Sequence, residues 1–366
     1  MAYLPLSTAN LPDPAIDPAK GSSPADYFDV FTWTGTGNTG RSFTDLAFQP
    51  DLVWAKNRNK AYGNVLYDSV RGAGANKELS SDITGAEGSL VTSIYDYLSS
   101  FDSNGFTSTF SGSNFAAYFN DLNDPFVAWN WKANGSGVSN NVGSITSTVS
   151  ANTESGFSIV TFSGASAGTV GHGLGVAPKV IMIKTRTTTL GWYVYTETIG
   201  SSGWLQLDTT AAAVTGNSAA FGGTDPTSTV FTYGSGLAGT GDYVAYCFAD
   251  VEGFSKFSSY VGNGNADGPF VYTGFRPAFI MVKSSTIADI WCIWDSKREG
   301  SLINENPSAV IHPNLNQAES KPSSRDIDWF SNGFKATGTD TSMNGNGATH
   351  IYMAFAETPF KYSNAR

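Results

Sequence analysis

Apolar and polar residues alternate along most of this chain in short runs, and each run ends in Gly, Asn, Asp or Ser. Alternation puts successive side chains on opposite faces of a strand, and hardly any stretch shows the spacing of an amphipathic helix. The pattern predicts a body of short strands. The first 26 residues differ, because Pro5, Pro12, Pro14, Pro18 and Pro24 interrupt them and no apolar period is present. They are expected to form an extended arm outside any core.

The strands recur as three copies of one module. An aromatic strand entering a glycine turn reads Phe28-Asp-Val-Phe-Thr-Trp-Thr-Gly35, then Phe157-Ser-Ile-Val-Thr-Phe-Ser-Gly164, then Phe254-Ser-Lys-Phe-Ser-Ser-Tyr-Val-Gly262. A proline and an apolar strand ending in lysine follow: Pro50-Asp-Leu-Val-Trp-Ala-Lys56, Pro178-Lys-Val-Ile-Met-Ile-Lys184 and Pro277-Ala-Phe-Ile-Met-Val-Lys283. The common spacing carries Leu52, Val180 and Phe279 to the same face as Trp54, Met182 and Met281. A third strand is Asn64-Val-Leu-Tyr67, Trp192-Tyr-Val-Tyr195 and Trp291-Cys-Ile-Trp294, and each copy closes with Val127-Ala-Trp-Asn-Trp131, Val244-Ala-Tyr-Cys-Phe248 or Ile351-Tyr-Met-Ala-Phe355. Pro50 and Pro277, like Tyr67 and Trp294, lie 227 residues apart, and Ser103-Asn-Gly-Phe106 returns as Ser331-Asn-Gly-Phe334. Asn-Gly between apolar runs signals a hairpin whose two central residues take positive φ.

The predicted fold is all-β, with three tandem antiparallel β-sandwich (jelly-roll-like) modules behind the extended Pro-rich N-terminal arm. The arm spans 1–26, the repeats span 27–134, 156–253 and 254–366, and 135–155 is a linker or an extra strand around Gly143-Ser-Ile-Thr-Ser-Thr-Val149. Repeats 2 and 3 abut at Asp250-Val-Glu-Gly253, so they are expected to pack rigidly while repeat 1 moves.

Charge and composition narrow the function. With 21 Lys plus Arg against 31 Asp plus Glu the net charge is -10, which argues against a basic nucleic-acid surface. No apolar run reaches membrane-spanning length, and Met1-Ala-Tyr-Leu-Pro-Leu6 lacks the regions of a secretory signal, so neither membrane insertion nor that export route is expected. Cys247 and Cys292 are expected as free core thiols.

Motifs that carry chemistry are sparse. Gly35-Thr-Gly37-Asn-Thr-Gly40 matches the dinucleotide fingerprint, but the residues after it predict no helix to receive a phosphate. His172, His312 and His350 have no metal-ligand spacing, and Asp102-Ser-Asn104-Gly105 starts like a calcium loop without its downstream Glu. No catalytic residue, cofactor or metal is nominated. Asp68-Ser-Val-Arg71 and Asp295-Ser-Lys-Arg298 recur where repeat 2 has Thr196 and Ile199. Either a salt bridge closes the strand end, or Arg71 and Arg298 are presented to an acidic sugar or a neighbouring subunit. Trp204 and Tyr233 lie outside the repeated landmarks and are candidate stacking platforms for glycans.

Leu11-Pro-Asp-Pro-Ala-Ile-Asp-Pro18, Phe48-Gln-Pro-Asp-Leu-Val-Trp-Ala-Lys-Asn-Arg58, Tyr67-Asp-Ser-Val-Arg-Gly72, Gly171-His-Gly-Leu-Gly-Val-Ala-Pro-Lys179, Gly268-Pro-Phe-Val-Tyr-Thr-Gly-Phe-Arg-Pro277 and Ile351-Tyr-Met-Ala-Phe-Ala-Glu357 together resemble a repeat protein of marine tailed bacteriophages. The similarity spans nearly the whole chain. It implies a virion structural or tail-fibre protein with no established enzymatic activity, assembled in the host cytoplasm and then carried on the extracellular particle. The expected partners are other virion proteins, through the N-terminal arm, and host surface glycans, with a homo-oligomer, three-fold as in many fibres. A capsid-decorating role and a polysaccharide-degrading enzyme are the alternatives.

Overall fold

The computed structural model describes residues 11–363 except 91, 111–116, 165, 238, 240, 299–303, 305 and 306. Each repeat is an antiparallel sandwich of a main sheet under a smaller cover sheet. In repeat 1 the main sheet runs Phe28–Thr34, Pro125–Trp131, Leu52–Asn57, Val65–Asp68, Leu79–Ser80, and the cover is Arg41–Phe43, Gly105–Phe110, Asp96–Asp102. Repeat 3 runs Ser255–Val261, Thr349–Pro359, Phe275–Ser284, Cys292–Asp295 under Phe270–Tyr272, Gly333–Ala336, Ile327–Phe330. Repeat 2 has the same four central strands, Phe157–Gly164, Gly241–Phe248, Val180–Thr185 and Tyr193–Thr196, widened to eight, with Gly168–Gly171 and Val230–Tyr233 as its cover.

The face shared by Leu52 and Trp54, Val180 and Met182, and Phe279 and Met281 points in every repeat to one central core. The closing strands add Trp129 and Trp131, Tyr246 and Phe248, and Met353 and Phe355. Rings from different repeats touch there: Phe28 stacks on Phe355 at 4.9 Å, and Trp131 meets Phe355 at 5.6 Å and Phe248 at 6.2 Å. The space left among these side chains is about 10 Å³, at the threshold for a single water. Burying a large apolar side chain contributes about 1.5–3 kcal/mol. Repeat 1 commits Trp54, Trp129 and Trp131 to this centre, so it does not move independently as the sequence suggested.

The repeats are also joined in a ring. The strand-end lysine of each reaches a carbonyl of its neighbour: Lys184 Nζ donates to Thr84 O at 3.0 Å, Lys283 to Thr210 O at 3.3 Å, and Lys56 to Asn316 O at 3.0 Å. The third strand repeats the gesture. Trp192 Nε1 donates to Ser80 O at 2.8 Å, Trp291 Nε1 to Gln206 O at 3.0 Å, and Asn64 Nδ2 to Leu315 O at 2.8 Å. Donors pass from repeat 2 to 1, from 3 to 2 and from 1 to 3, which closes the cycle.

One local expectation is resolved and two are corrected. The segment 135–155, expected as a linker or an extra strand, contributes the strands Val138–Asn140 and Ser147–Asn152 to the sheet of repeat 2. The arm is described from residue 11; its part up to 26 makes two short 3-10 turns, buries Ile16 in the central core and bonds Asp17 to Tyr362 Oη at 2.6 Å. The Asn-Gly hairpins form, but Asn104, Asn332 and Gly333 are not at positive φ. Both glycines serve close approach, Gly105 with a φ of +154° besides: a Cβ on Gly105 would sit 1.7 Å from Phe43 O, and one on Gly333 2.1 Å from Val271 O.

Candidate functional site

The four residues singled out by sequence do not form a surface. Tyr233 is fully buried, donates to Leu237 O at 2.5 Å and packs against Phe162 and Tyr243 at 5.2 and 5.1 Å. It is a core residue, not a platform. Trp204 is half-buried in Gly203–Gln206, against Tyr193 at 5.9 Å. Being outside the repeated landmarks did not place either residue outside the packing, because Trp204 lies on a strand of the widened main sheet and Tyr233 on the inward face of the cover strand.

Arg71 and Arg298 have fully buried side chains and are presented to no solvent partner. Arg71 bonds Asp68 at 2.5 Å and reaches Glu87, which also takes Arg186 of repeat 2 at 2.6 Å. Arg298 bonds Asp295 at 2.6 Å and Glu319 at 2.9 Å, and Glu319 takes Arg58 of repeat 1 at 2.8 Å. Burial by itself works against the charge on Arg71 and Arg298, but the adjoining carboxylates outweigh it and hold both pKa values above the usual range. The strand-end salt bridge is therefore what the structure contains, extended into a clamp between repeats.

The histidines lie apart and buried. His172 bonds Thr227 O at 3.1 Å, His312 bonds Trp291 O at 2.9 Å, and His350 stacks on Tyr260 at 5.2 Å. Burial lowers all three, His350 to about 4. Among the described residues no group of three His, Cys, Asp or Glu side chains could hold a metal ion. Cys247 and Cys292 are free and buried, with burial pushing Cys292 up to about 12. The Gly35 to Gly40 segment runs into strand Arg41–Phe43, so no helix N-terminus awaits a phosphate there.

A surface that sequence reasoning did not select lies on the outer face of the repeat-3 cover sheet. Phe270, Tyr272 and Phe330 are 47%, 59% and 40% exposed. Phe270 and Phe330 meet edge to face at 5.5 Å across the bare backbone of Gly333, whose missing Cβ would lie 3.1 Å from Phe270 Cζ. Strand alternation explains the arrangement, since Val271, Trp329 and Phe334 point inward and leave their neighbours outward. Lys335, paired with Asp267, and half-buried Asp328 border the rings. On the other side Tyr272 lines a hollow of about 560 Å³ with Asp250, Glu252, Lys256, Pro359 and Lys361.

Repeat 1 shows that the fold does not need those rings. Val271 pairs with Phe334 as Phe43 pairs with Phe106, and Phe330 faces Gly333 as Asp102 faces Gly105. Ser42, Thr44 and Asp102 therefore stand where repeat 3 has Phe270, Tyr272 and Phe330. There they make a polar surface, with Thr107 bonded to Ser42 at 2.8 Å and to Asp102 at 2.7 Å. A position-by-position comparison of the two repeats was the sequence signal that would have found the site.

Residues 23–359 match a domain of unknown function, DUF7483. The chain belongs to the DUF7483 family. No curated protein and no solved structure matches it. The DUF7483 match runs through all three repeats and includes the aromatic face of the third.

Proposed function

We propose that this chain is a bacteriophage virion protein of the tail-fibre or spike type, and that the outer face of repeat 3 binds saccharides on the host surface. The observation that carries the reading is the set of three exposed aromatic side chains at positions where repeat 1 folds with Ser, Thr and Asp. Exposed aromatic rings beside charged and hydroxyl groups suit a pyranose, whose C–H face packs on the ring while its hydroxyls bond at the rim. The sequence resemblance to tailed-phage virion proteins supports the setting. The ring of repeats supports a rigid carrier, since its internal contact surfaces are occupied within one chain and an oligomer must use other faces.

The test exchanges the face for that of repeat 1, as Phe270→Ser, Tyr272→Thr and Phe330→Asp together. The expected result is an unchanged urea midpoint and loss of signal on a glycan array that the parent chain labels. An array labelled equally by both proteins overturns the saccharide face. Gold-labelled antibody on intact particles tests the setting: label at distal tail structures agrees with it, and label spread over the capsid replaces it with a decorating role.

A further inference from the structure

The hollow beside Tyr272 carries a charge imbalance. Lys256 is held by Asp250 at 2.8 Å, and Lys361 by Asp13 at 2.6 Å. Lys20, which does not line the hollow, shares Asp13 at 3.0 Å and reaches Asp17 at 3.3 Å. Glu252 is exposed on the same wall and, among the described residues, has no ion-pair partner. Every lysine bordering the hollow is neutralised, and one carboxylate is left over. A carboxylate of the ligand would meet this excess negative charge, whereas an ammonium group would complete a charge-assisted hydrogen bond with Glu252. Tyr272 links the hollow to the aromatic face, so a saccharide stacked on Tyr272 can place a ring substituent beside that wall.

We infer that the site selects sugars bearing a free amino group, with the ring on Tyr272 and the ammonium on Glu252, and that it rejects uronic or otherwise acidic glycans. This rests on the saccharide reading above and names its ligand class. Glu252 and Tyr272 belong neither to the seams nor to the central core, so these two can be altered without disturbing the ring of repeats.

Titration calorimetry at low salt on the full chain tests it with three soluble probes: glucosamine oligomers, N-acetylglucosamine oligomers of equal length, and oligogalacturonate. The expected result is glucosamine oligomers binding about tenfold more tightly than the acetylated ones, the scale of one charge-assisted hydrogen bond, with no detectable binding of oligogalacturonate. Glu252→Gln should erase that ratio and leave the acetylated oligomer within about twofold of its parent affinity. Added salt should shrink the ratio in the parent chain. Equal affinity for amine and acetamide, or a ratio that survives Glu252→Gln, overturns the amino-sugar assignment while the saccharide reading stands. Absence of binding by all three probes counts against the saccharide reading itself.

Discussion

Tyr246 of repeat 2 donates its hydroxyl to Asp68 Oδ2 of repeat 1 at 2.8 Å. Trp129 of repeat 1, at the same place in its closing strand, donates Nε1 to Asp295 Oδ2 of repeat 3 at 2.9 Å. The third junction has neither partner, because Met353 holds the donor position and Thr196 the acceptor position. The other members of the clamp change with them. Glu87 and Glu319 give their backbone N–H to the carbonyls of Arg186 and Arg58 at 2.9 and 2.8 Å, and the matching bond in the third junction joins Ala213 to Ser285 at 2.8 Å. Ile199 replaces the arginine and packs against the central core. Five positions switch together from charged or polar to uncharged.

That correlation predicts non-additive mutants. Arg298→Ala leaves Asp295 and Glu319 buried beside a missing cation and should cost about 3–5 kcal/mol. Copying the third junction, with Asp295→Thr, Arg298→Ile, Glu319→Ala and Arg58→Ser, removes every charge at once and should cost less than the single change. Urea midpoints of the two proteins decide it, and a quadruple variant weaker than Arg298→Ala refutes the argument.

A second prediction concerns pH. Burial draws Lys56, Lys184 and Lys283 down to about 8, against weaker opposing pulls from Asp82, from Asp208 and from Asp289 with Cys292 respectively. The ordinary lysine value is 10.5, so between the two the unfolded chain binds more protons than the folded one and stability rises with pH. Above pH 10 the sign reverses, since burial holds Tyr67 and Tyr246 well above the usual 10 and only the unfolded chain releases their protons. The urea midpoint should climb from about pH 7.5 to 9.5 and fall beyond about 10.5. Lys184→Met should remove about a third of the climb, one of three equivalent groups; an unaltered slope would show that these lysines do not titrate in that window.

Glycine substitutions should separate close approach from backbone conformation. Gly333→Ala forces a methyl to within 2.1 Å of Val271 O and should cost more than about 3 kcal/mol through loss of the cover-sheet pairing. Gly40→Ala meets nothing within 4 Å and pays only for its φ of +71°, about 1 kcal/mol. Thermal midpoints of the two variants measured side by side check the order.

The N-terminal segment should behave as part of the body. Ile16→Ala removes a side chain 1% exposed in the central core and should destabilise by about 2–4 kcal/mol. Truncation to residue 26 should lower the melting temperature by at least as much, and an unchanged melting curve would return this segment to the role of a detachable arm.

The sequence reveals much of the repeat architecture because alternation and the proline-to-lysine spacing are local features. Leu52 and Trp54 could be placed on one face before any coordinates, as could Phe279 and Met281. What that face meets is nonlocal: nothing around Trp131 announces Phe248 and Phe355 as its neighbours, so the core shared by the three main sheets, beside the separate cores within repeats 1 and 2, was not legible. The site failed for a related reason. Tyr233 and Trp204 were chosen for lying off the repeated strands, yet exposure follows from strand parity within the cover sheet, and Phe270 differs from buried Val271 only in that parity.

The uncharged junction fixes the order of the repeats. Repeat 2 keeps Arg186 and Tyr246 for repeat 1 but carries Thr196, Ile199 and Ala213 toward repeat 3, whose own Ser285 and Met353 answer them. Exchanging repeats 2 and 3 in the chain would set Arg71 and Glu87 against Ser285 and Met353, and leave Arg58 facing Ala213. Two of the three contacts would then bury charge without a counterpart. The modules are thus addressed, like keyed connectors that fit around the circle in a single sequence, and a shuffled chain would be rejected by its own joints before any surface property came into play.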